Sequence, residues 1–210
     1  MRRQPDLTTR LGGWLFRHRT SLPLPVALAI LTLRVGRTPP STALSAAGVA
    51  ITLAGEALRL WGVRHIGAIS RTRSDRLGPL VATGPFAYAR NPLYVGNIAL
   101  WVGFALTARL VWLAPVILVL LGAEYHAIVR WEEQLLEARL GDAYRDYASR
   151  VPRWLPTRGG RKEGTERRDS AGSAVFAVSA LPWRETLFSE RGTLIAMAVG
   201  YLLLWTTARF

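Results

Sequence analysis

The stretch Leu93 to Ala123, LYVGNIALWVGFALTARLVWLAPVILVLLGA, decides the fold. A single arginine, Arg109, divides it into two uncharged runs, Leu93 to Ala108 and Leu110 to Ala123. Three more such runs lie outside it, from Thr20 to Leu33, Ser41 to Gly55 and Thr193 to Ala208. Half of the residues are hydrophobic, yet the formal net charge is +13. The charges sit between the apolar runs, which is the pattern of membrane spans with basic flanks. A bilayer core about 30 Å thick needs roughly 20 helical residues, so these shorter runs borrow flanking positions. Arg19, Arg34, Arg59, Arg109 and Arg209 supply that length by snorkelling to the interface. Pro23 and Pro25 fall in the first turns of the first run, where a missing N–H does little damage. The expected fold is all-α, a polytopic transmembrane helical protein of about five spans, with loops and helix extensions on one side forming the active site.

Orientation follows from the connecting segments. Segments 1–19, 59–90 and 130–168 together hold twenty-one Lys and Arg, against three in 34–40 and at position 109. The positive-inside rule then predicts a cytoplasmic N-terminus and a C-terminus on the far side, in a bacterial inner membrane. Arg34 and Arg37 follow the first run where a cleavage site would need small residues, so that run is read as an anchor and not as a cleaved signal. The absence of cysteine excludes disulfides and thiolate chemistry, and three histidines argue against a metal centre; no metal site is expected. The basic balance points to the lipid bilayer and its anionic headgroups as partner, and not to nucleic acid.

The chain divides into 1–54, anchor and start of the second span; an intervening core, 55–156; 157–173, a linker of Gly, Arg, Glu and Ser; and 174–210, an interfacial segment and an extra span. Between Arg64 and Tyr94 the apolar pattern is broken by glycines 67, 78 and 84 and prolines 79, 85 and 92, giving a long polar loop. Glu124 to Leu140 lacks Gly and Pro, so the fourth span continues as one helix beyond the membrane. Gly141 ends it, and a short helix fits Asp142 to Arg150 before Pro152.

The residues that carry chemistry lie in LVATGPFAYARNPLYVG, Leu80 to Gly96, and in EEQLLEARLGDAYRDYASRVPRWLP, Glu132 to Pro156. Together they form a Gly-Pro-aromatic loop, Arg-Asn-Pro-x-Tyr-x-Gly, a helical pair, Glu-Glu-x-x-Leu, Gly-x-x-Tyr-x-x-Tyr and Val-Pro-x-x-Leu-Pro. In these elements and their order, residues 55 to 156 resemble the isoprenylcysteine carboxyl methyltransferase family and its relatives among phospholipid N-methyltransferases. The resemblance implies S-adenosyl-L-methionine as cofactor, bound in a cytosolic pocket, and a lipophilic small-molecule or prenylated acceptor entering from the membrane. Asn91 stands where the eukaryotic carboxyl methyltransferases carry His, so the acceptor atom stays open among carboxylate, amine, thiol and hydroxyl.

The same residues can be read physically. Gly84 permits a left-handed turn and close approach of a ligand, and Pro85 stiffens that turn. Tyr88 and Tyr94 offer stacking surface, Asn91 both a donor and an acceptor, and Glu132 or Glu133 an acceptor for hydroxyls or an amine. Pro92 and Gly96 complete the motif. On a continuous helix His126 and Glu133, like Tyr125 and Glu132, lie seven residues apart and project from nearly the same face. These ten, Gly84, Pro85, Tyr88, Asn91, Pro92, Tyr94, Gly96, His126, Glu132 and Glu133, form the expected cofactor site. Arg90 and Arg150 are the expected catalytic pair, orienting an anionic acceptor by position and charge. Glu56 and Arg59, three apart at the end of the second span, are an intramembrane ionisable pair and therefore a functional candidate. Two other readings remain: a nicotinamide-dependent reductase of the sterol reductase type, with arginines 71, 73 and 76 around the cofactor phosphate, and a non-enzymatic membrane scaffold.

Overall fold

The computed structural model describes residues 7–19, 21, 23–67, 80–156 and 180–207. The arginines at 71, 73 and 76, the linker 157–173 and most of the interfacial segment 174–182 lie outside the described residues. Among the described residues every regular element is helical: α1 (Leu7–His18), α2 (Leu24–Thr32), α3 (Thr42–Ile66), α4 (Pro92–Thr107), α5 (Leu113–Leu140), α6 (Asp142–Arg150) and α7 (Trp183–Thr207).

Three of these, α3, α5 and α7, are long and apolar enough to cross a membrane, and α4 is a shorter apolar helix of 16 residues. The chain is an integral membrane protein. The first apolar run departs from the expected continuous span. It yields only the nine-residue α2, because Pro23 and Pro25 delay the helix start and Leu33 is already extended. The N–H of Thr38 donates to the carbonyl of Arg109 at 2.9 Å, and the Trp112 indole donates to the carbonyl of Val35, so the 34–40 segment meets the connection around Arg109 at one end of the bundle. At the opposite end the N–H of Leu181 donates to the carbonyl of Arg64 at 2.7 Å, and the Arg64 guanidinium lies over the Trp183 ring. The 34–40 segment and the Arg64 contact to Leu181 thus lie at opposite ends of α3.

The centre of the bundle is the antiparallel pair α3 and α4. Gly48, Gly55 and Gly62 recur every seven residues on α3, and Gly96 and Gly103 do so on α4. A β-carbon at Gly55 would stand 2.8 Å from the carbonyl oxygen of Gly96, and one at Gly103 would stand 2.6 Å from that of Gly48. Only glycine permits this approach, and close backbone packing is what holds helices together where lipid removes the hydrophobic drive. Ser41 caps α3, its hydroxyl accepting from the N–H of Leu44, and Pro92 opens α4 at the position where a missing donor costs nothing.

The 28 residues of α5 span about 42 Å, more than the membrane requires, so its C-terminal turns leave the bilayer as expected from the sequence. Gly141, with φ +56°, ends α5 and starts α6. The amphipathic α1 packs along α5, with Gly12 against the Ala127 backbone and the Phe16 ring 4.9 Å from that of Trp131.

Candidate active site

The loop before α4 returns to the membrane through a 3-10 turn, Gly84–Ala87. Gly84 has φ +59° and packs against the His65 ring, whose Nδ1 lies 3.0 Å from Thr83 Oγ1. The turn is fastened to α6: the Tyr147 hydroxyl donates to the carbonyl of Phe86 at 2.8 Å. The segment after α6 is fastened next, with the N–H of Arg90 donating to the carbonyl of Pro152 and the Asn91 amide donating to the carbonyl of Arg153, at 2.9 and 3.0 Å. These bonds bring both sequence motifs onto one surface, although 35 residues separate them.

Three charges meet there. Arg90 Nη1 is 2.9 Å from Glu133 Oε1 and 3.4 Å from the Tyr144 hydroxyl. Arg153 grips the same carboxylate with two parallel bonds, Nε to Oε1 at 3.0 Å and Nη2 to Oε2 at 2.6 Å. Bidentate geometry of this kind is the strong form of the pair. The bonds to Glu133 hold the Arg153 guanidinium above its ordinary pKa, against the opposing effect of burial. Burial, with Glu133 adding to it, pushes Tyr144 up to about 12, and burial also raises Tyr147. Arg90 Nε is buried and has no hydrogen-bond partner among the described residues. A second acid, Glu132, accepts from the Tyr94 hydroxyl at 3.1 Å, and Tyr94 stacks on Tyr125 at 4.7 Å between centroids.

Deeper in the bundle is an ionic cluster between α3, α4 and α7. Arg59 Nε is 3.3 Å from Glu56 Oε2, an ion-pair distance without hydrogen-bond alignment. Its Nη1 donates to Asn97, and its Nη2 contacts Glu190 Oε2 at 2.6 Å and Thr193 Oγ1 at 3.3 Å. Glu56 and Glu190 are both almost completely buried.

One cavity of about 920 Å³ joins these groups. Its polar end is lined by Arg90, Asn91, Tyr94, Glu132, Glu133, Tyr144 and Tyr147, with Arg19 reaching in from the connection between α1 and α2. The Arg59 cluster stands midway, and the other end is an apolar wing between α2, α4 and α7.

Five of the expected site residues line this cavity: Arg90, Asn91, Tyr94, Glu132 and Glu133. Gly84, Pro85, Pro92 and Gly96 shape the backbone around it, Gly96 by packing on Gly55 and Arg59. Three are not brought in. Tyr88 is exposed with its ring near Trp61, His126 is exposed with its ring 6.4 Å from Trp154, and Arg150 points outward to pair with Asp146. The reason for the last lies in the chain path. The helix stops at Arg150, Val151 is extended, and the chain doubles back so that Arg153 reaches Glu133 instead. Arg153 was missed because it occupies a variable position of the Val-Pro-x-x-Leu-Pro element. Tyr144 and Tyr147 were visible in their motif, and the Glu190 contact to Arg59 had no sequence signal. Among the described residues, no group of three or more His, Asp or Glu could hold a metal ion.

The family model for phospholipid methyltransferases matches residues 44–143 of the chain, which covers most of α3, all of α4 and α5, and the polar loop between α3 and α4. The nickel-cobalt-cadmium resistance protein NccN of Alcaligenes xylosoxydans xylosoxydans is 30% identical over 152 residues, 70% of this chain and 68% of that protein. The cobalt-zinc-cadmium resistance protein CzcN of Cupriavidus metallidurans is 25% identical over 159 residues, 71% of this chain and 69% of that protein. No solved structure matches. With the Arg-Asn-Pro-x-Tyr-x-Gly and Glu-Glu elements facing one cavity within the matched region, the chain belongs to the phospholipid methyltransferase family of integral membrane proteins.

Proposed function

We propose that the protein transfers a methyl group from S-adenosyl-L-methionine to a lipophilic acceptor held within the membrane. The observation that carries this reading is the two-ended cavity, in which a charged, hydrogen-bonding end continues into an apolar wing between α2, α4 and α7. A cofactor with a zwitterionic amino acid, a ribose and an adenine needs matched charges and a dry surface. The polar end offers them: the buried Arg90 Nε is a donor without a partner among the described residues, Glu132 and Glu133 are acceptors, and Tyr94, Tyr144 and Tyr147 supply aromatic surface. When bound, the cofactor supplies an electrophilic sulfonium methyl.

The chain's own part is positional. Glu133, held by Arg90 and Arg153, fixes the cavity wall, and the buried tyrosines exclude water from it. Holding two reactants in line in a dry site supplies most of what a group transfer of this type needs. We place the polar end in the cytoplasm of a bacterial inner membrane, because the basic residues concentrate in the segments that meet there. If the metal resistance for which the two relatives are named extends to this chain, we assign it to the consequences of lipid methylation.

The test is ligand-induced stabilisation of the detergent-solubilised protein. S-adenosylhomocysteine should raise the melting temperature, NADPH should not, and Glu132→Gln should reduce the effect without unfolding the protein. Stabilisation by NADPH alone would replace this reading with the reductase.

A further inference from the structure

The cavity is the sum of two parts of different origin. Apart from Arg19, its polar end is built from residues within or next to the segment matched by the family, 44–143, whereas much of the apolar wing is built by α7, which lies wholly outside that segment. We propose that α7 forms a slot for a single hydrocarbon chain, so that the acceptor is a one-chain amphiphile and not a two-chain glycerolipid. The inference rests on the methyl-transfer reading for the identity of the bound molecule as acceptor.

Three observations support it. The cavity face of α7 carries Gly192, Thr193, Ala196, Met197, Val199 and Gly200 before it closes at Leu203 and Leu204; Leu100, Trp101 and Phe104 line the cavity from α4, Gly200 packs directly on the Phe104 ring, and a β-carbon at Gly192 meets nothing within 4 Å. Thr193 and Leu204 both line the cavity, and the eleven residues from one to the other rise about 16 Å along a helix, close to half of a bilayer core about 30 Å thick. A chain from one leaflet matches that depth. Finally, the cavity totals about 920 Å³, near the upper end of the roughly 300–1,000 Å³ of ligand pockets, and the cofactor must share it. That leaves room for one chain beside the cofactor. The Arg59, Asn97, Glu190 and Thr193 cluster marks the depth at which the apolar slot gives way to polar surface and a head group begins.

Matched photoreactive probes test this in phosphatidylcholine nanodiscs. One is a lysophosphatidylethanolamine and the other a phosphatidylethanolamine, each with a diazirine at the same depth in one chain. After irradiation, labelled peptides are mapped by mass spectrometry. The single-chain probe should label Met197 to Leu204 and the Trp101 to Phe104 turn, while the two-chain probe should label only outward-facing residues such as Leu118, Val119 and Leu120. Ala196→Trp should abolish slot labelling and leave the thermal shift by S-adenosylhomocysteine intact. Gly192→Leu is a second plug, since a β-carbon there meets nothing within 4 Å. Equal slot labelling by the two-chain probe, or labelling unchanged in both variants, overturns the proposal. Slot labelling that holds while S-adenosylhomocysteine gives no shift supports the slot and removes the methyl-transfer reading instead.

Discussion

Glu133 is shared by two guanidinium groups, and its loss leaves both Arg90 and Arg153 facing each other without an anion between them. Glu133→Gln should therefore cost about 1–3 kcal/mol, read as a lower melting temperature, because each charge-assisted bond lost is worth that order in a partly buried setting. Arg153→Ala should fall in the same range, and Arg150→Ala, exposed and paired only with Asp146, should stay within about 0.5 kcal/mol of the parent. If Arg90 orients the bound molecules, Arg90→Lys should lower turnover and leave the fold intact, since lysine keeps the charge and loses the planar fork. Tyr144 gives a pH dependence. Its folded pKa, near 12, lies above the ordinary value of about 10, so the buried neutral phenol stabilises the fold fully below pH 10 and that contribution is lost as the pH rises towards 12. A melting curve series from pH 9 to 12 should show a steeper loss in the parent than in Tyr144→Phe, which keeps the contribution of the buried Tyr147. The sequence made Arg90 and the glutamates legible because their motif sits on a rigid turn and a continuous helix. It hid the exchange of Arg150 for Arg153, because a chain reversal at Val151 decides which side chain returns.

At the scale of elements, the glycine seam between α3 and α4 sets the position of everything above it. Arg59 and Asn97 project from the two helices within one turn of the Gly55 and Gly96 contact. Gly103→Ala forces a methyl group to within 2.6 Å of the Gly48 carbonyl oxygen, so the helices must separate. Reduced yield of folded protein and a lower melting temperature should follow, while Gly122→Ala on α5, where a β-carbon meets nothing within 4 Å, should be neutral. Apolar runs announced these helices in the sequence, and the uninterrupted Glu124 to Leu140 announced the extension of α5. The seven-residue glycine spacing was equally visible, but its meaning depends on which helix faces which. The first run misled for a related reason: an uncharged stretch reports depth in the membrane and not helical continuity, which Pro23 and Pro25 broke.

For the whole molecule, contacts between loops group them at two ends of the bundle, and the proposed orientation rests on the basic asymmetry between those ends. Reporter fusions after Arg37 and after Pro156 should lie on opposite sides of the membrane, because Thr38 meets the Arg109 connection while Pro152 meets the polar end. Fusions on the same side would contradict the described arrangement. With the apolar wing proposed to lie at membrane depth, its contents equilibrate with the bilayer and not with bulk water. Turnover should then obey surface dilution. Adding inert phosphatidylcholine at constant protein and acceptor should slow the reaction in proportion to the falling mole fraction of acceptor in the membrane. Doubling the aqueous volume at fixed lipid and fixed cofactor concentration should leave the rate per protein unchanged.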